Sequence, residues 1–496
     1  MENAFPKPFH NDIYKGGRPP QFQLPEIERP LEPFQTESYP LNYMPYKEST
    51  SEGTQRVVED IFKKQFGMDE ENPQWSSCIR PVFGDALTTK VLDALKAEHS
   101  VEEEAPYDQL AWLLPVFGLW HLKLNYLRLL WEEHWGGPEN PDDSSSLWTA
   151  HHYWYDNKPM DKNHFHRLED LVIHTWKAKI VAIMVQIWKE ERKDGPANTN
   201  KYHIDDVTSF LESQSVEDIA RLATDIMKRI RIKGLVNKPI EEQDGEWVNH
   251  VKFIRNVVPY LALKAAIKYA DIGMLRHAIN DCCLVFVGSG RKWLYIRELF
   301  YYKWLTDSPA TDPQLQKAIL YNSLVNRRGA KDSYFEIDRA VELLNALIKQ
   351  LRTDRRTSSI HEELLLGRYT QLLRFYERQQ EKFRQAFTRE MNSYRGRKPL
   401  DDQLYLFARY LVESGVAKER PGRISRFNPK DLMRLGCDQL HQKIQRFSDF
   451  CKESGLRGAT QLGEEEPLDE GHVRERDIYA LAEQWDHGSE GEEYDW

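Results

Sequence analysis

The sequence predicts an α+β fold that is predominantly helical and carries only a small β-sheet. Apolar residues recur at helical spacing through most of residues 160–390, whereas apolar runs with strand character are few and short. With 496 residues, 40% of them hydrophobic, the chain can also bury a substantial core.

Taken in order, the elements follow from local chemistry. Nine of the 25 prolines fall in the first 50 residues, beside Gly16 and Gly17, so residues 1–40 are expected to be an extended, flexible arm. Val57, Val58, Ile61, Phe62 and Phe66 then recur at helical spacing before Gly67, which suits the end of a helix. Cys78, Ile79, Val82 and Phe83 form a short apolar run ending in Gly84-Asp85, and Thr88 is placed to cap a helix running to Lys96. Pro81 weighs against a central strand, because it cannot donate to a ladder. Leu113–Phe117 is a second short run, and Gly118 separates it from an aromatic-rich helical segment, Trp120–Trp135.

Helical periodicity recurs in Leu168–Trp188, Val216–Ile230, Val251–Tyr269, Met274–Phe286, Leu294–Leu305, Leu315–Val325, Ile337–Leu351 and Leu364–Phe387. Segments such as Gly136–Ser146 and Lys193–Asn200 are rich in Gly, Pro, Ser, Asp and Asn and read as surface loops. Residues 41–453 are thus expected to form one mainly helical globular region, followed by an acidic, flexible tail over 454–496.

Charge is unevenly distributed. Residues 461–496 hold 13 Asp/Glu against two Arg, so a formal net charge of -10 leaves +1 for the rest. Residues 349–430 carry 19 Lys/Arg against 10 Asp/Glu, with clusters at Arg352, Arg355, Arg356 and at Arg395, Arg397, Lys398. These six are the candidate nucleic-acid contacts, since phosphate binding draws on such clusters, while solvated helix faces would use the same residues. The acidic tail is a candidate mask for this basic region.

Several functions are argued against. No Walker loop, H-E-x-x-H or G-x-S-x-G pattern occurs. The cysteines, Cys78, Cys282, Cys283, Cys437 and Cys451, are odd in number and lack C-x-x-C spacing, which fits a reducing, intracellular setting, nuclear or cytoplasmic. His121, His151, His152, His164, His166 and His174 lie near one another in sequence, but without cysteines at finger spacing they predict no zinc site. The longest purely apolar stretches, Ile180–Val185 and Cys282–Val287, are shorter than the ~20 residues of a membrane-spanning helix, and the N-terminus lacks a signal-peptide pattern, so no membrane partner is expected.

Two places remain for chemistry. Asp85 follows a predicted strand, where side chains project beyond a sheet's carboxyl edge, although a turn-forming or helix-capping aspartate would sit there equally well. On the helix from Ile337, Asp338, Glu342, Asn345 and Lys349 share one stripe, beside a stripe of Val341, Leu344 and Ile348 expected to be buried. A carboxylate there can reach a magnesium ion held by a second carboxylate, while an exposed acid–base ladder is the plainer reading.

Five strings in order carry a resemblance: LNYMPYKESTSEGT (Leu41–Thr54), GDALT (Gly84–Thr88), DQLAWLLPVFGLWH (Asp108–His121), AAIKYADIG (Ala265–Gly273) and NSLVNRRGAKDSYFEIDRAVELLNALIK (Asn322–Lys349). Over Leu41–Phe387 the chain resembles an uncharacterised fungal family, domain of unknown function 6589, although the family usually has Gln at the position of Ala86 and Gly at that of Ala270. That family is similar to transposases with an RNase H-like core, which implies a partial core of that kind in the small sheet. By the same analogy Asp85 is the second catalytic acid, His121 the accessory histidine and Glu342 the last acid, with Asp85 and Glu342 the metal ligands if the site is intact. The expected first acid, in an Asp-Asn pair after an early strand, has no counterpart beyond the reversed Asn11-Asp12. The resemblance therefore implies a truncated or repurposed transposase-like protein without intact catalysis, binding DNA or RNA and needing no cofactor. Its alternatives are an active phosphodiester hydrolase or strand-transferase using Mg or Mn, and a helical scaffold that binds protein.

Overall fold

The computed structural model describes residues 31–47, 50–68, 77–99, 108–139, 143–155, 160–191 except 163, 215–231, 238–353 and 401–453, with a few isolated residues between. The observed fold is predominantly helical, as the periodicity predicts. The first helix, α1 (Ser51–Glu59), is capped by the Thr50 side chain and passes into a π-helical turn, Asp60–Gln65. Val58 and Phe62 face inward there, and the Phe62 ring lies edge-on to Trp112 at 4.6 Å.

Next comes a strand–helix–strand unit: β1 (Arg80–Gly84), α2 (Ala86–His99) and β2 (Leu113–Phe117). The strands are parallel, with Gly84 opposite Phe117. Pro81 and Pro115 are accommodated because each strand of a two-stranded sheet is an edge. The cap of α2 differs from the expected one. Asp85, not Thr88, is the capping residue, its Oδ1 accepting the Thr88 N–H at 2.7 Å.

Among the described residues eight α-helices follow: α3 (Leu119–His134), α4 (Leu147–Tyr155), α5 (Phe165–Glu191), α6 (Val216–Arg229), α7 (Gly245–Tyr269), α8 (Ile272–Ser289), α9 (Trp293–Asp307) and α10 (Pro313–Asn322). They pack around a large apolar core that includes Leu122, Leu171, Ile183, Val251, Phe253, Ile279 and Phe286. Helix α5 is long and apolar enough to cross a membrane, yet 78% of its most apolar window is buried in this core, which suits a central helix of a folded body.

The segment predicted as a helix over Leu315–Val325 ends at Asn322, and Leu324–Val325 (β3) instead pairs antiparallel with Phe335–Glu336 (β4). Ser323 terminates the helix and bonds through its side chain to Ile319 O, while β-branched Val325 suits the strand. The strands form two separate two-stranded sheets rather than one.

Helix α11 (Ile337–Thr353) follows β4 directly. The stripe expected to be buried departs at one position, since Val341 is 50% exposed while Leu344 is half-buried, and Asp338 is buried; the Ile348 side chain lies outside the described set. Two helices lie beyond the periodic segments, α12 (Asp401–Glu413), which packs on α5, and α13 (Leu432–Glu453), which packs on α8. At the α8–α13 crossing the backbones nearly touch. A Cβ on Gly288 would sit 1.9 Å from Leu432 O, and one on Gly436 would sit 1.9 Å from Leu284 O.

The expected boundary of a flexible arm near residue 41 also shifts. Residues 31–36 are strapped across the β3–β4 hairpin: Thr36 N–H donates to Asn326 O at 2.8 Å, Asn326 N–H donates back to Thr36 Oγ1 at 2.9 Å, and the Tyr334 hydroxyl donates to Glu32 O at 2.9 Å. The hairpin edge supplies the donors and acceptors, so an extended, proline-rich segment docks without a ladder of its own. Residues 1–30, Leu364–Phe387 apart from Phe375, and the tail 454–496 lie outside the described residues.

Candidate functional site

The carboxyl edge of the β1–β2 pair gathers the residues singled out by the sequence. Asp85 leaves the end of β1, and His121 occupies the first turn of α3 immediately after β2. From more than 200 residues further on, α11 brings Asp338 and, one turn along, the half-buried Glu342.

Asp338 is the centre of this group; the sequence places it on the polar stripe of this helix, but the resemblance assigns the last acid to Glu342. Asp338 Oδ2 accepts the backbone N–H groups of Trp120 at 3.0 Å and His121 at 3.1 Å, and its Oδ1 lies 3.1 Å from the Trp120 nitrogen. The carboxylate therefore caps α3, where the helix dipole favours negative charge, and it also lies in the first turn of its own helix. Gly118 makes this approach possible, because a Cβ there would come within 2.4 Å of the Asp338 carboxyl carbon.

The His121 ring completes the arrangement: Nδ1 donates to Asp338 Oδ2 at 3.1 Å. Burial disfavours the charged imidazole, but the hydrogen bond and charge of Asp338, together with the charges of Asp85 and Glu342, more than offset it, and the ring titrates above its ordinary value. Asp85, His121 and Glu342 are thus electrostatic neighbours. Glu342 contributes the last of these fields, whereas Asp338, four residues earlier, makes the direct contact.

A buried ionic layer supports the site from beneath. Lys123 Nζ donates to Glu336 Oε1 at 2.7 Å, with side-chain exposures of 5% and 1%, while Glu336 Oε2 is buried without a hydrogen-bond partner. Glu169 accepts hydrogen bonds from Lys264 at 2.9 Å and from the Tyr260 hydroxyl. Burial raises the Glu169 pKa, but Lys123, Lys264 and Tyr260 together bring it below the usual carboxylate value.

Other predicted residues lie elsewhere. His151 and His152 are on α4, His164 precedes α5, and His166 and His174 are on α5. Among the described residues, no three His, Cys, Asp or Glu side chains meet in an arrangement that holds a metal ion. Arg352 is on α11 with its side chain outside the described set, as are Arg355, Arg356, Arg395, Arg397 and Lys398 entirely. Within the described part of the basic segment, Arg423 is committed to the body through Asp244 at 2.6 Å and Glu246 at 3.6 Å.

Fold and site together define a predominantly helical α+β protein in which a parallel strand pair presents a carboxylate–histidine cluster at its carboxyl edge. The chain belongs to the family of unknown function DUF6589, whose model matches residues 7–398. All four clustered residues fall inside that match, while α12 and α13 fall outside it. No curated protein and no solved structure matches the chain.

Proposed function

We propose that this protein is a transposase-like derivative that binds nucleic acid without intact phosphodiester chemistry. One observation carries the reading: Asp85 at a strand's carboxyl edge, His121 on the next helix and the acids of α11 converge although the chain separates them widely. Convergence of that kind is how ligand sites form at the open edge of α/β units. The argument against catalysis is also geometric. Asp338 spends its lone pairs on two backbone N–H groups and the His121 ring, and Asp85 Oδ1 on capping α2. Two-metal chemistry needs carboxylates directed at ions ~3.5–4 Å apart, and acids engaged as helix caps are poorly directed for that.

The test is incubation of the full chain with labelled duplex and single-stranded DNA, with and without Mg or Mn. The expected result is salt-sensitive retention of DNA with no metal-dependent cleavage or joining. Cleavage abolished by Asp85→Asn or Glu342→Gln in a folded protein would establish an active metal-dependent enzyme instead. Absence of any DNA retention at low salt would leave the helical scaffold as the reading.

A further inference from the structure

Beside the acidic cluster, α3 carries a second polar group on the same face. His121, Asn125 and Arg128 follow one another at spacings of four and three residues, so they line up along one side of the helix. Opposite them stands the start of α9, with Lys292 and Tyr295. The Asn125 amide joins the two elements: Nδ2 donates to the Tyr295 hydroxyl oxygen at 2.5 Å and to His121 O at 3.0 Å, and Oδ1 faces Lys292 Nζ at 3.4 Å.

We propose that Arg128 and Lys292, with the nearby Tyr295 hydroxyl, form a phosphate-binding subsite about two helical turns along α3 from His121. Three independent features support it. Arg128 Nε is buried without a hydrogen-bond partner, a costly state for a guanidinium unless an anion meets it. Lys292 adopts left-handed backbone dihedrals, φ 59° and ψ 51°, rare for a residue with a Cβ and characteristic of positions held for function. The Tyr295 oxygen already accepts from Asn125, so its own hydrogen is left to donate.

The surrounding charge is mixed, with cations gathered about Lys292 while Asp85, Asp338 and Glu298 act on Tyr295. Lys292 is within electrostatic reach of Arg128, Lys162 and Arg291, with Glu132 as its opposing charge, and Arg128 is influenced by Asp161 and Glu132. Arg291 approaches Glu132 at 3.8 Å, which leaves Arg128 and Lys292 as the half-buried, inward pair. Burial lowers the Lys292 pKa to about 8, a desolvation that a bound dianion would offset. An arginine plus a lysine is the usual pairing for phosphate, the first through its planar fork and the second as a point charge.

On the proposed function, that phosphate belongs to a nucleic-acid backbone, but the subsite has the chemistry to take inorganic phosphate as well. The test compares the full wild-type chain with Arg128→Gln and Lys292→Asn, asparagine being chosen because it tolerates the left-handed backbone. Inorganic phosphate, against sodium chloride of equal ionic strength, should raise the wild-type melting temperature and leave both variants unshifted. Affinity for a fluorescent single-stranded oligonucleotide should fall about 5–10-fold in each variant, with the salt slope reduced by roughly one phosphate. Arg128→Lys and Lys292→Arg keep the charge and should retain most of the phosphate response, which separates charge from misfolding.

A phosphate effect absent from the wild type, or unchanged in both charge-removing variants, overturns the subsite. If phosphate stabilises as expected but the oligonucleotide does not bind, the subsite stands, small phosphorylated molecules are its source, and the nucleic-acid reading fails. If the oligonucleotide binds equally to all variants while phosphate is silent, nucleic-acid binding stands and the subsite fails.

Discussion

The His121–Asp338 contact couples the site to pH in a direction set by its geometry. Burial opposes the imidazolium, yet Asp338, Asp85 and Glu342 raise its pKa above the ordinary value of roughly 6.5 for an unfolded histidine. The folded state thus holds the proton more tightly, so this pair's stabilisation is fully present below about pH 6.5 and is lost as pH rises through the folded pKa. Wild type and His121→Gln should therefore differ more in melting temperature at pH 6 than at pH 9, with the variant less stable at the lower pH. An equal difference at both values would show that the ring remains neutral beside Asp338. At this scale the sequence was partly legible. Asp85 stands out at a strand end and His121 enters only through the family resemblance, while Asp338 is passed over for Glu342 because both lie on one helical stripe, and only the start of α3 decides which is buried.

At the scale of elements, helix ends carry much of the specification. Asp244, Asp271 and Asp312 each cap a helix through a carboxylate oxygen that accepts from backbone N–H groups of the first turn. The C-terminus of α7 is less favourable. Ala270 closes it at φ 49° and ψ 38°, fully buried. A Cβ in left-handed conformation costs ~1–2 kcal/mol, partly recovered here by burial of the methyl group. Ala270→Gly should accordingly stabilise the protein by ~0.5–1 kcal/mol, measured by urea unfolding at constant m-value. Lower stability in that variant would mean that methyl packing outweighs backbone strain. Elements outside the predicted segments have other causes. The strap over residues 31–36 is held by backbone hydrogen bonds at Asn326, which leave no apolar rhythm, and the α8–α13 crossing is fixed by Gly288 and Gly436 although α13 itself carries Leu432, Met433, Leu440 and Phe447 at helical spacing.

For the whole molecule, charge distribution is the property most directly readable from sequence and the one that bears most on binding. The 13 acids and two arginines of residues 461–496 offset a body that is otherwise nearly neutral, and residues 349–430 are strongly basic within it. In the described part of that segment, Arg423 is bound to Asp244 and Glu246, and Arg409 pairs with Glu413 at 3.7 Å, so fixed structural pairs consume some of the positive charge. On the proposed function, a polyanion competes with the acidic tail for whatever remains. Removal of residues 461–496 should therefore strengthen retention of DNA at low salt, with the gain shrinking between ~0.05 and ~0.2 M salt as the Debye length contracts toward ~8 Å. Anisotropy titrations of full-length and shortened chains across that range give both quantities. Equal affinities at every salt concentration would mean that the acids do not compete for the basic surface. Tighter binding by the full-length chain would mean that the tail itself contributes contacts, a result that phosphate-directed attraction alone does not allow.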